Sequence, residues 1–344
     1  MRFYLPLILA LGLIAAGTVE WASAAWNEPG PPASSGKQSV VLIAPRTSVH
    51  DIARQLQDAH LLNYALVFEL DLRLHRLNDQ VKAGEYAVPS KASMADIAAI
   101  LVSGKSIQHR LTAAEGLTSA MIAKLVVDEP ALTGDAGAVP AEGSLLPETY
   151  LFTRGVTRAE MLDRMRKAQQ TFLAEHWLGR AQDLPFRSMD QAVILASIVE
   201  KETSLPEERR HIAAIFINRL KAGMKLQSDP TIIYGISKGY PLGRGIRESE
   251  IQADTPYNTY VIDGLPPTAI SNPGKDSLAA VLNPEDSRDL YFVATGRGGH
   301  AFAATMAEHQ KNVIAYRALE KLKDSGEVAS PSMAPPKPDR HRHA

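Results

Sequence analysis

The stretch SMDQAVILASIVEKETSLPEER, residues 188–209, decides the fold of the C-terminal part of the chain. Residues 192–199 are apolar on every side, so they predict a helix that is buried all round. Ser188 or Asp190 can cap the start of this helix, and Pro206 stops it soon after the apolar run. The rest of the domain must therefore pack around all faces of one helix.

Two carboxylates, Glu200 and Glu202, follow the apolar run directly. Side chains two positions apart on a helix point to nearly opposite sides, so at most one of them faces a given cleft. Burial and the negative end of the helix dipole both raise a carboxyl pKa, which favours a neutral acid able to protonate a glycosidic oxygen. Two solvated glutamates at a frayed helix end fit the same pattern, and the pattern alone does not choose between the two residues.

Composition sets broad limits on function. The chain has 344 residues, of which 45% are hydrophobic and 22% are charged, and this length predicts two or three domains. A net charge of −1 provides no large basic field for nucleic acid. The sequence contains no cysteine, which excludes disulfides, thiol catalysis and cysteine-ligated zinc.

The N-terminus predicts export. Residues 3–19, FYLPLILALGLIAAGTV, carry no charge and lie at the short limit for a membrane-spanning helix, with Trp21 and Trp26 placed for the membrane–water boundary. Ala22-Ser23-Ala24 also fits the small-residue pattern of a signal-peptide cleavage site. We therefore interpret residues 1–26 as a transmembrane anchor or a signal segment, and hydropathy alone does not separate the two.

The remaining chain divides by composition. The Pro-, Gly- and Ser-rich residues 27–38 predict a flexible linker, and residues 39–110 predict a small strand–helix–strand–helix module. Residues 111–322 mix helices and strands and hold the dense motifs, whereas residues 323–344 lack apolar periodicity and predict a disordered tail. The expected fold class is α+β.

Polar groups gather at two places after the buried helix. Gln227, Ser228, Asp229 and Thr231 lie around Pro230, which fits either a turn with a helix cap or a set of donors and acceptors for sugar hydroxyls. The Pro-rich loop 256–274 contains Tyr260, whose ring beside polar groups suits a sugar-binding groove, although a well-packed loop has the same composition.

Two other features have ordinary structural interpretations. Asn218 lies on a predicted helix over residues 207–224 and faces either the core or a cleft. The segment GRGGH, residues 296–300, lacks the Lys-Ser/Thr pair of a phosphate-binding loop, and His300 has no neighbouring candidate ligands, so a structural histidine is favoured over a metal ligand.

Four blocks occur in a fixed order: ASIVEKET (196–203), FINRLKAGMKLQSDPTIIYG (216–235), YNTYVIDGLPPTAISNPG (257–274) and YFVATGRGGHAFAATMAEH (291–309). With EGSLLPETY at 142–150, they resemble the endolytic murein transglycosylase family, also called MltG or YceG-like. The resemblance extends over essentially the whole chain. It implies an α+β fold with an N-terminal membrane helix, a small LysM-like module and a mixed α+β catalytic domain.

The resemblance also implies a site and a reaction. Glu202 corresponds to the family's catalytic glutamate, and seven residues become candidates to line or support a glycan groove: Glu200, Asn218, Gln227, Ser228, Asp229, Tyr260 and Asn272. Such a lytic transglycosylase, a carbon–oxygen lyase, cuts the MurNAc–GlcNAc bond with one carboxyl group and the sugar's own C6 hydroxyl, leaving a 1,6-anhydro-MurNAc end. The reaction needs no metal or cofactor.

The resemblance further implies a place and partners. The expected location is the inner membrane, with a single pass and a periplasmic catalytic domain acting on nascent peptidoglycan strands beside peptidoglycan synthases, and no nucleic acid is expected as a partner. Two alternatives remain open: a non-catalytic peptidoglycan-binding scaffold, and a hydrolytic muramidase that uses Glu200 or Asp229 as a second carboxylate.

Overall fold

The computed structural model of the chain describes residues 4–34 and 36–324, which form a mixed α+β structure. Its helices are α1 Tyr4–Asn27, α2 Val49–Asp58, α3 Ala65–Leu74, α4 Met94–Ser103, α5 Ser119–Asp128, α6 Arg158–Trp177, α7 Met189–Glu202, α8 Arg209–Lys221, α9 Asp229–Ser237, α10 Glu248–Ile251, α11 Lys275–Leu282 and α12 Met306–Asp324. Its strands are β1 Gln38–Ile43, β2 Gly84–Pro89, β3 His109–Thr112, β4 Thr149–Phe152, β5 Tyr291–Ala294 and β6 His300–Ala303. They pair as three two-stranded sheets within the described residues: β1–β2, β3–β4 and β5–β6.

The chain separates into two compact units. The first unit holds the residues up to 111 together with 127–135 and 150–158, and the second holds 112–126, 136–149 and the residues from 159 onward. The domain boundary predicted between residues 110 and 111 stays a prediction. Residues 127–135 and 150–158 belong to the first unit although they follow residue 111 in the sequence. Their amino-acid composition resembles that of the neighbouring segments, so composition does not indicate this.

The first unit is built on an antiparallel ladder. β1 pairs with β2 from Gln38 opposite Pro89 to Ile43 opposite Gly84. Serine caps begin two of its helices: the Ser48 hydroxyl accepts a hydrogen bond from the Asp51 N–H at the start of α2, and Ser93 begins α4 with a capping box. The apolar faces of the helices close over the sheet, and the largest fully buried side chains of this unit are Tyr86, Phe68, Ile43, Leu56, Leu72, Ile97 and Leu101.

The C-terminal end of α1 is part of this unit's packing. Ala25 is only 4% exposed, the Trp26 ring stacks on Phe68 with centroids 5.8 Å apart, and Trp21 meets Tyr64 edge-on at 5.1 Å. Aromatic contacts at these distances add to the free energy gained from burial. No helix in the described part of the chain is both long and apolar enough to cross a bilayer.

The predicted linker, residues 27–38, differs from the expectation. Gly30 donates to the Lys91 carbonyl at 3.3 Å, and Lys91 donates back to the Pro31 carbonyl at 3.2 Å, so this stretch is tied to the first unit. Pro and Gly give irregular backbone here, but hydrogen bonds fix its path. At the other end, α12 continues to Asp324, so the first two residues of the predicted tail are helical, and residues 325–344 lie outside the described range.

The second unit is organised around α7, as the all-round apolar run predicts. Helices α8 and α11 pack on it, and Leu195, Ala196, Ile198 and Val199 are fully buried. Ser197 is also fully buried, and its hydroxyl donates to the Ile194 carbonyl and accepts from the Ile270 N–H at 3.0 Å. That second bond joins the Pro-rich loop 256–274 to α7, which brings the loop close to the end of the helix where Glu202 lies.

Candidate active site

Glu202 is the last residue of α7 and is half-buried. The Ser228 hydroxyl donates a hydrogen bond to its Oε1 at 2.5 Å. No donor from the described residues reaches Oε2. Because Ser228 occupies Oε1, the proton of the neutral acid belongs on Oε2, the oxygen that remains available to another molecule.

The position of Ser228 is fixed by buried threonines. Its N–H donates to the Thr259 hydroxyl at 2.9 Å, and its carbonyl accepts from the Thr231 hydroxyl at 2.6 Å. The two threonine hydroxyls also lie 2.9 Å apart. All three residues are at most 1% exposed, so neither water nor side-chain motion competes for these bonds. The Pro-rich loop thereby sets the orientation of the group that contacts Glu202.

The pKa of Glu202 is raised to about 7. The largest cause is burial, which disfavours the charged form, and the hydrogen bond from Ser228 opposes it. The negative charge of Asp229 raises the pKa further, whereas the positive charge of Arg219 lowers it. A carboxyl group with this pKa is present in both protonation states near neutral pH, as an acid that must also act as a base requires.

Asp229 and Tyr260 form a polar pair next to Ser228. The Tyr260 hydroxyl donates to Asp229 Oδ1 at 2.7 Å. Burial and the Asp229 carboxylate raise the pKa of Tyr260, so the phenol stays neutral. Asp229 is exposed and is the first residue of α9. The pair thus places an exposed negative charge beside Glu202.

Arg219 is a site residue that the sequence analysis did not single out. It is 6% exposed, and its guanidinium donates to the carbonyls of Leu290 at 2.6 Å and Leu226 at 2.7 Å and to Gln227 Oε1 at 3.3 Å. The guanidinium also lies 5.4 Å from the centre of the Tyr291 ring. A buried cation is therefore held by neutral groups at the edge of the site.

A signal for Arg219 was present in the sequence. Ile212, Ile215 and Phe216 define one apolar face of α8, and all three are fully buried. Position 219 is the next member of that i, i+3, i+4, i+7 series, so its side chain must enter the core face. A charged residue on a buried helix face is rare without a specific partner, and that mismatch indicates a functional or structural role.

Glu200 lies on another side of α7, as its spacing from Glu202 predicts. Its Oε2 accepts from the Gly274 N–H at 2.9 Å, and Arg209 Nη2 lies 3.8 Å from its Oε1. The cation that holds Glu200 is not its sequence neighbour Lys201, which donates to the Gly116 carbonyl at 3.3 Å. Arg209 supplies that charge, because its side chain enters from α8 at the level of Glu200.

The two asparagines are engaged in structural contacts. Asn218 Nδ2 donates to the carbonyls of Ser287 and Asp289 at 2.8 and 3.1 Å, and Asn272 is fully buried with both ends of its amide bonded. The structure therefore brings four predicted residues together near Glu202 and leaves three away from it. Those near the acid or its neighbours are Gln227, Ser228, Asp229 and Tyr260, and the others are Glu200, Asn218 and Asn272.

His300 has the structural role that the sequence favoured. Its N–H and Nδ1 bond to the two carboxylate oxygens of Glu208, each at 2.7 Å, and Glu208 also accepts from the Thr203 hydroxyl at 3.2 Å. Glu208 thus connects the start of β6 with the residue that follows Glu202. This contact holds the β5–β6 hairpin against the end of α7.

The geometry defines a general-acid site with one serine-bound carboxyl group near neutral pKa. A profile of the YceG-like family matches residues 41–315, so the chain belongs to this family. A crystal structure of a YceG-like protein from Listeria monocytogenes is similar, with 30% sequence identity and a TM-score of 0.50 over 80% of this chain and 99% of that one. This likeness confirms the α+β fold.

Two curated relatives carry the name endolytic murein transglycosylase. The protein from Bacillus subtilis strain 168 is 34% identical over 172 residues, which is 50% of this chain and 47% of that protein. The protein from Streptococcus pneumoniae serotype 2 strain D39 is 28% identical over 330 residues, covering 82% of this chain and 59% of that protein. The chain therefore spans between 47% and 59% of the length of these relatives.

Proposed function

We propose that this protein is an endolytic peptidoglycan lytic transglycosylase, which cleaves the MurNAc–GlcNAc bond within nascent glycan strands and leaves 1,6-anhydro-MurNAc ends. The observation that carries this proposal is Glu202, a serine-bound carboxyl group with a pKa of about 7 and a free Oε2. The names of the two curated relatives support the substrate class.

In the first half of the reaction, neutral Glu202 gives its proton to the glycosidic oxygen as the bond from that oxygen to C1 of MurNAc breaks. The sugar develops positive charge at C1. Asp229 lies beside the acid and carries an exposed carboxylate held by Tyr260, so it stabilises this positive charge. The Glu202 carboxylate that results remains bonded to Ser228.

In the second half, the Glu202 carboxylate takes the proton of the C6 hydroxyl, and the C6 oxygen bonds to C1. The acid is regenerated, and no water molecule is consumed. A second carboxylate that activates water is therefore unnecessary, in contrast to inverting glycosidases. Glu200 is turned toward Gly274 and Arg209, which fits a mechanism with one carboxyl group.

A hydrolytic muramidase is the second candidate, since Asp229 is an exposed carboxylate close to Glu202. Product mass separates the two reactions, because hydrolysis gives a reducing end heavier by one water. We expect digestion of purified uncrosslinked glycan strands to yield 1,6-anhydro ends alone. Reducing ends in their place would assign Asp229 as the activating base, and the absence of any new product would support a non-catalytic scaffold.

The first unit provides a second part of the proposal, namely that it is a LysM-like module that binds glycan and orients the strand for cleavage. It is supported by the unit's own buried core and by the separate packing of its helices on the β1–β2 ladder. Peptidoglycan synthases are the proposed partners, because strand cleavage during synthesis requires access to nascent chains.

The proposed location is the inner membrane, with α1 as the anchor and the catalytic unit in the periplasm. Support comes from the packing of Trp26 on Phe68 and of Trp21 on Tyr64, since cleavage after Ala24 would cut the helix between these contacts. We expect the mature protein from membranes to retain residues 1–24 by intact mass. A chain that begins at residue 25 would assign the segment as a cleaved signal.

A further inference from the structure

We infer that Arg219 is the positioning residue that lets a single carboxyl group act first as the acid and then as the base. The inference rests on the proposed function, because in a one-carboxyl mechanism Glu202 must serve as acid and then as base within each turnover. It assigns to Arg219 the role of a fixed counter-charge, which balances the nearby carboxylate of Asp229.

The guanidinium of Arg219 is anchored in place but not neutralised. Its partners are the carbonyls of Leu290, Leu226 and Lys225 and the amide oxygen of Gln227, all of which are uncharged. Within the described residues, no carboxylate forms an ion pair with it. A fixed cation that has no directly bonded anion still interacts by Coulomb attraction with charged groups slightly farther away.

The charged group on which the electrostatic field of Arg219 acts is the carboxyl group of Glu202. Gln227 accepts from Arg219, and the adjacent Ser228 donates to Glu202, so the two charged groups flank one short segment. The attraction between them raises the pKa of Arg219 and lowers that of Glu202, although burial of each group acts in the opposite direction and is the larger cause for both. Arg219 therefore favours the carboxylate state of Glu202.

Of the other titratable groups near this pair, Lys225 is a cation, but its ammonium donates to the Val261 carbonyl and lies 4.0 Å from a carboxylate oxygen of Asp263. The remaining groups supply no positive charge. Asp229 is negative, and Tyr260 is a neutral phenol bonded to it. Tyr291 lies against Arg219, and His309 stacks on Tyr291 with centroids 5.2 Å apart. Burial and the charge of Arg219 both lower the pKa of His309, so this ring is neutral near pH 7. Arg219 is thus the cation that acts on Glu202 from these surroundings.

The reaction explains why the balance matters. If the proton affinity of Glu202 were too high, the acid would form readily, but it would release its proton reluctantly to the glycosidic oxygen. If it were too low, the carboxylate would be too weak a base to take the C6 proton. A single group that gives and takes one proton works best with a pKa near the operating pH.

The test compares Arg219→Met and Arg219→Gln, which remove the charge, with Arg219→Lys, which keeps it. Glutamate carboxyl carbons are titrated by ¹³C NMR without substrate, and the Glu202 signal is assigned by its loss in Glu202→Gln. We expect the neutral variants to raise the pKa of Glu202 above its wild-type value and the lysine variant to change it less than either of them, because lysine keeps the positive charge. The upper limb of the pH–rate profile should shift in the same direction.

The outcomes are distinct. All three variants lose hydrogen bonds of the guanidinium, so all three should have lower thermal stability. If Arg219 had only a structural role, the pKa of Glu202 would be the same in the charged and the neutral variants. An unshifted Glu202 pKa in a folded neutral variant, by methionine or glutamine, overturns the inference. The titration needs no substrate, so a wild-type enzyme without anhydro products would overturn the proposed function and leave the counter-charge assignment standing.

Discussion

Replacing Glu202 by glutamine is expected to lower the rate of 1,6-anhydro end formation by about 10²–10⁴-fold, the usual contribution of a general acid. An amide has no proton acidic enough for a glycosidic oxygen, and it cannot take the C6 proton afterwards. The amide oxygen can still accept the Ser228 hydrogen bond at Oε1, so the local structure should be preserved. The measurement is the initial rate of anhydro-muropeptide release from uncrosslinked strands.

The matched control is Glu175→Gln, because Glu175 is an exposed helical glutamate on α6. Its rate should stay within about twofold of wild type, and both variants should unfold cooperatively near the wild-type temperature, since surface substitutions have small effects on stability. Full activity in a folded Glu202→Gln protein would remove the acid from the mechanism and direct attention to Asp229.

Local pattern was sufficient to predict α7 and its surroundings. A run that is apolar on every side can only be buried, and the serine before it and the proline after it set its limits, as observed from Met189 to Glu202. The same spacing rule placed Glu200 and Glu202 on different sides of the helix.

Long-range partners could not be predicted in the same way. The strand β4 begins at the end of the loop at 142–150, and its pairing with β3 depends on a segment far away in sequence. Asn218 and Asn272 look like sugar ligands in sequence, because an amide that bonds protein carbonyls is indistinguishable there from one that bonds hydroxyls. Arg219 is the opposite case: the helix pattern places it on the buried face of α8, but the groups that hold it there, such as the Leu290 carbonyl, are distant in sequence.

Replacing Asn272 by alanine is therefore expected to lower the free energy of unfolding strongly, because the side chain bonds groups inside the protein. Its Oδ1 accepts from the Leu145 N–H at 2.9 Å, and its Nδ2 donates to the Leu117 carbonyl, the Ser119 hydroxyl and Glu142 Oε1 at 3.1, 3.1 and 3.3 Å. Each buried group left without a partner costs about 1–3 kcal/mol. We expect the free energy of unfolding to fall by about 3–5 kcal/mol.

The control is Asn218→Ala, since Asn218 is half-buried and its amide bonds only carbonyls, those of Ser287 and Asp289. Water can reach these carbonyls more easily, so the loss should be about 1–2 kcal/mol in urea-induced unfolding. If Asn272→Ala kept wild-type stability but bound glycan more weakly, Asn272 would be assigned as a glycan-binding residue. A loss of stability would show that Asn272 joins the Pro-rich loop to Leu117 and Leu145. Its effect on Glu202 is then indirect, because the same loop carries Thr259, which holds Ser228.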